Sequence, residues 1–335
     1  MTATAARSPA AADPQPELVA RFADALARLW PEGGRLGLAV SGGPDSLAML
    51  LLAEAAIPGR FEVATVDHGL RPASAGECAM VAEICRAKAI PCSVLAVTVA
   101  SGNVQNEARK ARYAALAAWA EHRVLSAIAT AHHADDQAET LLMRLNRGSG
   151  LAGLTGVREA RFMPGSAVSV IRPLLTFRRG ELGDLVAAAG LDPAEDPSNA
   201  DARFDRARIR GALAEADWLD PVALSRSACL LGEALQALEA AAETEWLNGV
   251  SEHGEGFGYS PGAGSAYIEI EVVTAILSRM GGSARRSEVA RLIERLKAGR
   301  PGNLAGVAAR PITDQAGDVA IQKWIFTPEP PRRLH

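Results

Sequence analysis

Between residues 36 and 175 the chain alternates short apolar runs with longer stretches of helical character, and few folds accommodate that rhythm. LGLAV (36–40) ends at a glycine turn and is followed by LAMLLLAEAA, a helix candidate. FEVATVDH (61–68), CSVLAVTV (92–99), LSAIATAHH (125–133) and VSVIRPLL (168–175) are further strand candidates, with helical stretches near 76–89, 105–121 and 135–146. Nearly continuous apolar strands need cover on both faces, and intervening helices supply the crossovers. The pattern therefore predicts an α/β fold with a doubly wound parallel sheet. Such a sheet binds ligands at the carboxyl ends of its strands.

With 335 residues, 48% of them hydrophobic and 22% charged, the chain can bury a full core and divide into two or three domains. The opening is rich in Ala and Pro, and a disordered tail is expected over 1–20, then a main domain over 21–216. From 217 to 335 a smaller, mainly helical region is expected: a helix over 221–247, an exposed glycine-rich loop from Gly249 to Gly264, a helix over 271–297 and a hairpin around LAGVAARPITDQAGDVAIQKW. No stretch reaches the ~18 apolar residues of a membrane span and no signal core opens the chain, so a cytoplasmic protein without a membrane partner is expected. Cys78, Cys85, Cys92 and Cys229 contain no C-x-x-C pair and read as buried thiols. A net charge of -4 does not mark a nucleic-acid binder, but local basic patches decide that question.

Three strings sit at strand ends. SGGPDS (Ser41–Ser46) joins a strand to a helix, so its amides and the helix N-terminus converge on an anion site; a plain Gly-Gly turn capped by Asp45 and Ser46 is the simpler alternative. It is neither a Walker A loop, which needs a following Lys, nor a G-x-G-x-x-G turn. VDHGLR (66–71) brings Asp67 and His68 to the same edge. In AHHADDQAETLLMRLNRGSGLAGL (131–154), His132, Asp136 and Glu139 have the spacing of one helix face, as dipole-complementing acids would also have. A metal-hydrolase reading of the His-His-x-Asp-Asp string lacks an H-E-x-x-H pair. Arg203, Arg206, Arg208 and Arg210 form a basic run; Arg206 and Arg210, four apart, share a face, unless the run is only a solvated surface.

SGGPDS resembles the pyrophosphate loop of the N-type ATP pyrophosphatases, and the three strings in this order resemble the tRNA(Ile)-lysidine synthase family. NEARKARY (106–113), IRPLL (171–175), Arg179–Leu182 and EDPSNADARFDRARIR (195–210) extend the resemblance over 36–230. The resemblance implies a catalytic domain over 21–216, a tRNA-binding domain beyond a helical linker, and ATP-dependent ligation of L-lysine to C2 of the wobble cytidine of a CAU-anticodon isoleucine tRNA. The reaction would pass through an adenylated tRNA, release pyrophosphate and AMP, and change decoding from AUG to AUA.

Carried onto this chain, Ser41, Gly42, Gly43, Pro44, Asp45, Ser46, Asp67 and His68 would bind ATP, with Asp45 on Mg²⁺. Asp45, Arg112, Asp136 and Arg206 would be catalytic. His132, Asp136 and Glu139 would bind lysine, and Arg109, Arg206 and Arg210 would contact tRNA or the activated base. A homodimer is compatible with this reading. One departure is Ala207, where the family has Asn. The alternative is a 2-thiocytidine synthase, which needs paired cysteines; GMP and NAD synthetases share the first loop but not the His132–Leu154 string, and an RNA-binding module would explain the arginines alone.

Overall fold

The computed structural model describes all residues except 1–12, 71–72, 101–103, 164, 195–204, 263, 317–318 and 330–335. The chain divides into two compact units, Met1–Gly232 and Glu233–His335. The division lies beyond the expected boundary at 216/217.

Unit 1 follows the order α1 (Pro16–Leu29), β1 (Leu36–Ala39), α2 (Pro44–Ala56), β2 (Phe61–Asp67), α3 (Ala73–Ala87), β3 (Cys92–Ala96), α4 (Val104–His122), β4 (Ala127–Ala129), α5 (Ala134–Asn146), α6 (Leu151–Leu154), β5 (Ala160–Phe162), β6 (Ser169–Ile171), α7 (Arg179–Ala188), α8 (Asp205–Glu215) and α9 (Pro221–Gly249), the last divided between the units. Helix α1 begins at Pro16, so the last five residues of the expected tail are helical: Leu18, Phe22, Ala25 and Leu26 form a buried stripe. Their neighbours at 1–12 lie outside the described residues.

The sheet order is β3-β2-β1-β4-β6-β5, parallel except for β5 against β6. Alternate residues of its strands enter two cores. Leu36, Leu38, Val63, Ala127, Ala129 and Ile171 face α1, α2 and α7, while Ala64, Ile128 and Val170 face Tyr113, Leu116 and Trp119 of α4. Helix α2 is buried along eight successive residues, Ser46–Ala53, as expected of a helix with the sheet on one side and helices on the other. At Gly37 a Cβ would come 2.7 Å from Trp119 Cζ3, so the missing side chain lets α4 lie directly on β1. Strand order reverses between β1 and β4, which opens a crevice at their carboxyl ends.

Unit 2 contains the rest of α9, then β7 (Val250–His253), β8 (Gly256–Tyr259), α10 (Ala266–Arg279), α11 (Arg286–Lys297), β9 (Gly302–Leu304), β10 (Val307–Ala316) and β11 (Val319–Pro328). Helices contribute more of its residues than strands, and the β10–β11 hairpin lies where the turn signals place it. Within the expected loop at Gly249–Gly264, residues Val250–Tyr259 form the β7–β8 hairpin, with Gly254 at its turn. The expected helix over 271–297 is two helices parted at Gly281 and Gly282. Tyr259 and Trp324 meet edge to face, ring centres 5.6 Å apart, in a core with Val273, Ile276, Val289 and Leu296.

At the sheet edge away from the crevice, Glu62 is 2% exposed and bonds Arg35 (2.8 Å) and Arg123 (2.8 Å to each oxygen), joining the approaches to β1 and the exit of α4. The Arg123 hydrogen bonds lead the effects that lower its pKa, against burial, which raises it. Glu62→Ala is expected to cost roughly 2 kcal/mol at pH 7. A lowered folded pKa means that this advantage is present above the ordinary value of 4.5 and is lost as pH falls through the folded value. Denaturation of both proteins at pH 7 and pH 3 checks this: the gap should narrow in acid.

Candidate active site

The crevice at the ends of β1 and β4 is a cavity of about 560 Å³. Its lining includes Ser41, Gly43, Pro44, Asp45 and Ser46 of the first string, with His68, Arg112, His132, Asp136 and Arg210. Residues from five separate strings thus meet: four follow a strand or lie on a helix that covers one, and Arg210 is brought by α8, which lies against α5.

The SGGPDS turn is pinned internally. Ser46 Oγ donates to Gly43 O (2.9 Å) and accepts from Ser41 N (3.2 Å), and Ala194 N donates to Gly42 O (2.9 Å). Gly42 has φ +88°, a backbone conformation that favours glycine, and a Cβ there would also displace the Met80 methyl, 2.8 Å away. Gly43 caps α2, and Pro44 fits its first turn, where no amide donor is missed. Asp45 Oδ1 is buried and has no hydrogen-bond partner. A buried anionic oxygen of this kind, beside a helix N-terminus, suits a cation held jointly with phosphate.

Asp67 does not line the cavity. It accepts from Ser74 Oγ (2.7 Å) and Gly69 N (2.9 Å), in that order the bonds that hold its pKa below the usual carboxylate value. It therefore organises the start of α3, while His68 reaches the cavity.

The HHADD string folds differently from its helical reading. Helix α5 starts at Ala134 with His133 as its cap, so His132 lies before the helix and off the Asp136–Glu139 face. β4 ends at Ala129, His132 lies in the link between β4 and α5, and Thr130 Oγ1 lies 3.1 Å from His132 Nδ1. Burial first, then the charges of Arg172, Arg109, Arg112 and Arg206, lower His132 to a pKa of about 3. His133 is fully buried, 3.5 Å from Asp45 Oδ2, 3.6 Å from Asp135 Oδ2 and 3.5 Å from Asp136 Oδ2. Burial opposes its charge, but Asp135, Asp45 and Asp136 outweigh burial and raise it to about 9. Its Nδ1 also lies 3.4 Å from the Asp136 amide; that long contact yields to three carboxylates, which favour imidazolium.

Glu139 is 1% exposed and enclosed by cations. Arg206 Nε (2.8 Å), Arg210 Nε (2.8 Å) and Arg179 Nη2 (3.3 Å) all donate to it, and Arg206 Nη2 also reaches Asp136 Oδ1 (2.9 Å). The expected ammonium ligand is thus committed to guanidinium groups, leaving Asp136 as the acid of this helix face that lines the cavity. Arg206 and Arg210 do share a face, as their spacing requires, and Arg208 turns away to Asp205. Arg203 lies outside the described residues. Arg112 lines the cavity from α4, and Arg109 stands beside it, exposed, over Tyr113.

Sequence reasoning missed His133, Asp135, Arg179, Tyr113 and Arg172. The His-x-x-Asp spacing of 133 and 136, a capping pair, was the available signal for His133. Arg179, whose amide donates to Asp135 Oδ2 (2.8 Å), was legible only as part of the 179–182 segment that extends the family resemblance. Of the cysteines, Cys78 and Cys85 are buried and Cys92 and Cys229 are half-buried. Cys78 lines the cavity, but burial raises its thiol, and Thr65 Oγ1 donates to its sulfur.

The adjacent histidines should therefore carry opposite states at pH 7 in the ligand-free protein: His132 neutral, His133 protonated. A raised folded pKa makes the His133 contribution to stability complete below 6.5 and lost as pH rises through about 9. The lowered His132 has the reverse sense, destabilising the fold as pH falls from 6.5 toward 3. Imidazole ¹⁵N shifts across pH 5–10 check both; a His133 ring already neutral at pH 7 would remove the argument.

A family model described as a PP-loop domain matches residues 14–216. The chain is 46% identical to a tRNA(Ile)-lysidine synthase of Novosphingobium aromaticivorans, over 90% of each chain. It is 37% identical to one of Zymomonas mobilis, over 90% of this chain and 91% of that one. Among solved structures, the U34-tRNA thiolase NcsA of Methanococcus maripaludis, with its [4Fe-4S] cluster, superposes with a TM-score of 0.53 at 16% identity, covering 65% of this chain and 79% of that one, a likeness of fold. The order and geometry of the strings around the crevice, the PP-loop match and the near full-length identity together place this chain in the tRNA(Ile)-lysidine synthase family.

Proposed function

We infer that this protein ligates L-lysine to C2 of the wobble cytidine of a CAU-anticodon isoleucine tRNA at the expense of ATP. The observation that carries this reading is one cavity lined both by a preorganised anion loop, Ser41–Ser46, and by Arg112, Asp136 and Arg210. In the first step cytosine O2 bonds to the α phosphorus of ATP and the bond to pyrophosphate breaks. In the second a lysine amine bonds to C2, AMP departs, and the amine loses a proton.

The loop amides and Ser46 bind the leaving pyrophosphate, whose negative charge grows as it departs. Arg112, on the cavity wall, offsets charge on the α phosphate. Asp45, with its unpartnered buried oxygen, fits Mg²⁺ held jointly with the phosphates; the ion, when bound, neutralises phosphate charge. His133 holds the Asp45 and Asp136 carboxylates in place. Asp136 is the carboxylate that receives the lysine ammonium, and neutral His132 beside the arginines adds no repelling charge for that cation. Arg210, anchored on Glu139, lines the cavity and faces the activated nucleotide, while Arg206 does not line it and positions Asp136 and Glu139. Its tRNA substrate places the enzyme in the cytoplasm; among the described residues no helix is long and apolar enough to cross a membrane.

Sulfur transfer to the same base has less support. The thiol in the cavity, Cys78, is held protonated by burial rather than activated. Incubating the protein with ATP, Mg²⁺, labelled lysine and a CAU-anticodon transcript, then digesting to nucleosides, tests the reading directly. A lysine-bearing cytidine supports it, and an unmodified or thiolated cytidine overturns it.

Asp45→Ala should lower pyrophosphate release at least a hundredfold in a protein that still folds, with a lower melting temperature because one of the three carboxylates around buried His133 is lost. Arg206→Ala should lower kcat roughly tenfold or more even at saturating tRNA, because it frees Asp136 and Glu139 from the guanidinium that positions them. Full recovery at high tRNA would show instead that Arg206 only grips the RNA.

A further inference from the structure

Most arginines of unit 1 that approach the sheet ends are neutralised: Arg179, Arg206 and Arg210 on Glu139, Arg35 and Arg123 on Glu62. One group is not. The guanidinium carbons of Arg109, Arg112 and Arg161 lie 5.1, 5.5 and 5.4 Å from the ring centre of Tyr113. Arg172, 1% exposed, acts on the same hydroxyl. Among the described residues none of these four forms an ion pair with a carboxylate.

Arg172 Nε is moreover buried without a hydrogen-bond partner, and among the described residues the buried Tyr113 Oη has only the guanidiniums of Arg112 and Arg172 beside it and no acceptor. Tyr113 as a whole is 7% exposed. Stacking on the ring gives each cation some return, but four like charges around one phenol repel one another, and buried donors without partners are costly. The fold assembles this group from distant segments. Arg109, Arg112 and Tyr113 come from α4, Arg161 from β5 and Arg172 from just beyond β6, its Nη1 bonded to Arg158 O. A multi-oxygen anion completes such a set, accepting from the guanidiniums and from the phenol at once.

The phosphates of ATP have the Ser41–Ser46 loop as their own site. The Tyr113 group, by contrast, runs from the cavity wall, where Arg112 and Tyr113 stand, to exposed Arg109 and Arg161. A small ligand enclosed in the cavity has no use for the outer members; a polymer that enters the cavity by one base and continues outside does. We propose that Arg109, Arg161, Arg172 and Tyr113 form a cradle for a backbone phosphodiester of the RNA, adjoining the nucleotide whose base occupies the cavity. This rests on the reading of the substrate as tRNA.

The test measures binding rather than turnover. A CAU-anticodon stem-loop is titrated against wild type, Arg161→Ala and Tyr113→Phe over a range of salt, and a non-hydrolysable ATP analogue is titrated without RNA. Arg161→Ala should bind the stem-loop about tenfold more weakly, with the salt slope reduced by roughly 0.7, and should bind the analogue unchanged. Tyr113→Phe, which keeps the ring, should weaken RNA binding about threefold. Stem-loops carrying one neutral methylphosphonate linkage locate the phosphate: one position should weaken wild type about tenfold and Arg161→Ala hardly at all. Unchanged RNA affinity in both variants, or loss of analogue binding instead, overturns the cradle. If Arg161→Ala melts early, Arg161→Gln and Tyr113→Phe carry the same comparison. Failure of wild type to form the lysine-bearing cytidine would overturn the functional reading but leave the phosphate scan standing, so the two failures are distinguishable.

Discussion

A single buried carboxylate, Glu139, is the constraint on which the acidic side of the site depends. Taking it out of water is unfavourable, and burial alone would raise its pKa; hydrogen bonds from Arg210 and Arg206 reverse that, and the net direction is down. The exchange has a structural consequence. Helix α8 has no buried residue of its own, so apolar packing does not explain its position. Its Arg206 and Arg210 reach Glu139 and Asp136 on α5, and its Asp205 bonds Arg147 just past the end of α5 at 2.6 Å. Arg179, at the start of α7, joins the same carboxylate. Three helices that share little apolar surface at this point are thus held in register by one charge.

The same edge of the sheet separates two electrostatic environments over a few ångströms. His133 lies among Asp45, Asp135 and Asp136 and is raised to about 9, while His132, one residue earlier, faces arginines and is lowered to about 3. The two histidines follow one another in the link between β4 and α5 and meet different neighbours, so this short segment can serve both. One side gathers carboxylates next to the anion loop, where the proposed reaction puts its metal ion and the lysine ammonium. The other gathers guanidiniums, where phosphate is needed. A reaction that joins an amine to a phosphate-activated base requires both, close together and not cancelling each other.

Much of unit 1 was legible in the sequence because its signals are local. An apolar run, a glycine turn and a proline-led helix are enough to specify β1, the Ser41–Ser46 loop and α2, and residues with that covalent order cannot be far apart. The same holds for α9 and for the β10–β11 hairpin. Where local signals misled, a longer-range partner decided. The glycines of 249–264 read as a loop, yet β8 pairs with β11 some seventy residues on, and that pairing makes a hairpin of them. His132 had helical spacing to Asp136 and Glu139, but the parallel pairing of β4 with β1 and β6 and the cap at His133 keep it out of the helix.

The sequence by itself determined the order of the elements, the sheet class, the anion loop and the identity of the polar residues delivered to the sheet edge. Periodicity and turn chemistry act over a few residues, and those properties are local. Which charges meet was decided only by the tertiary structure. Glu139 looked free until α7 and α8 brought three guanidiniums to it, and Tyr113 looked like one residue of a helical string until β5 and β6 set Arg161 and Arg172 against it. Electrostatic partnership depends on distance and burial in three dimensions, neither of which is carried by spacing along the chain.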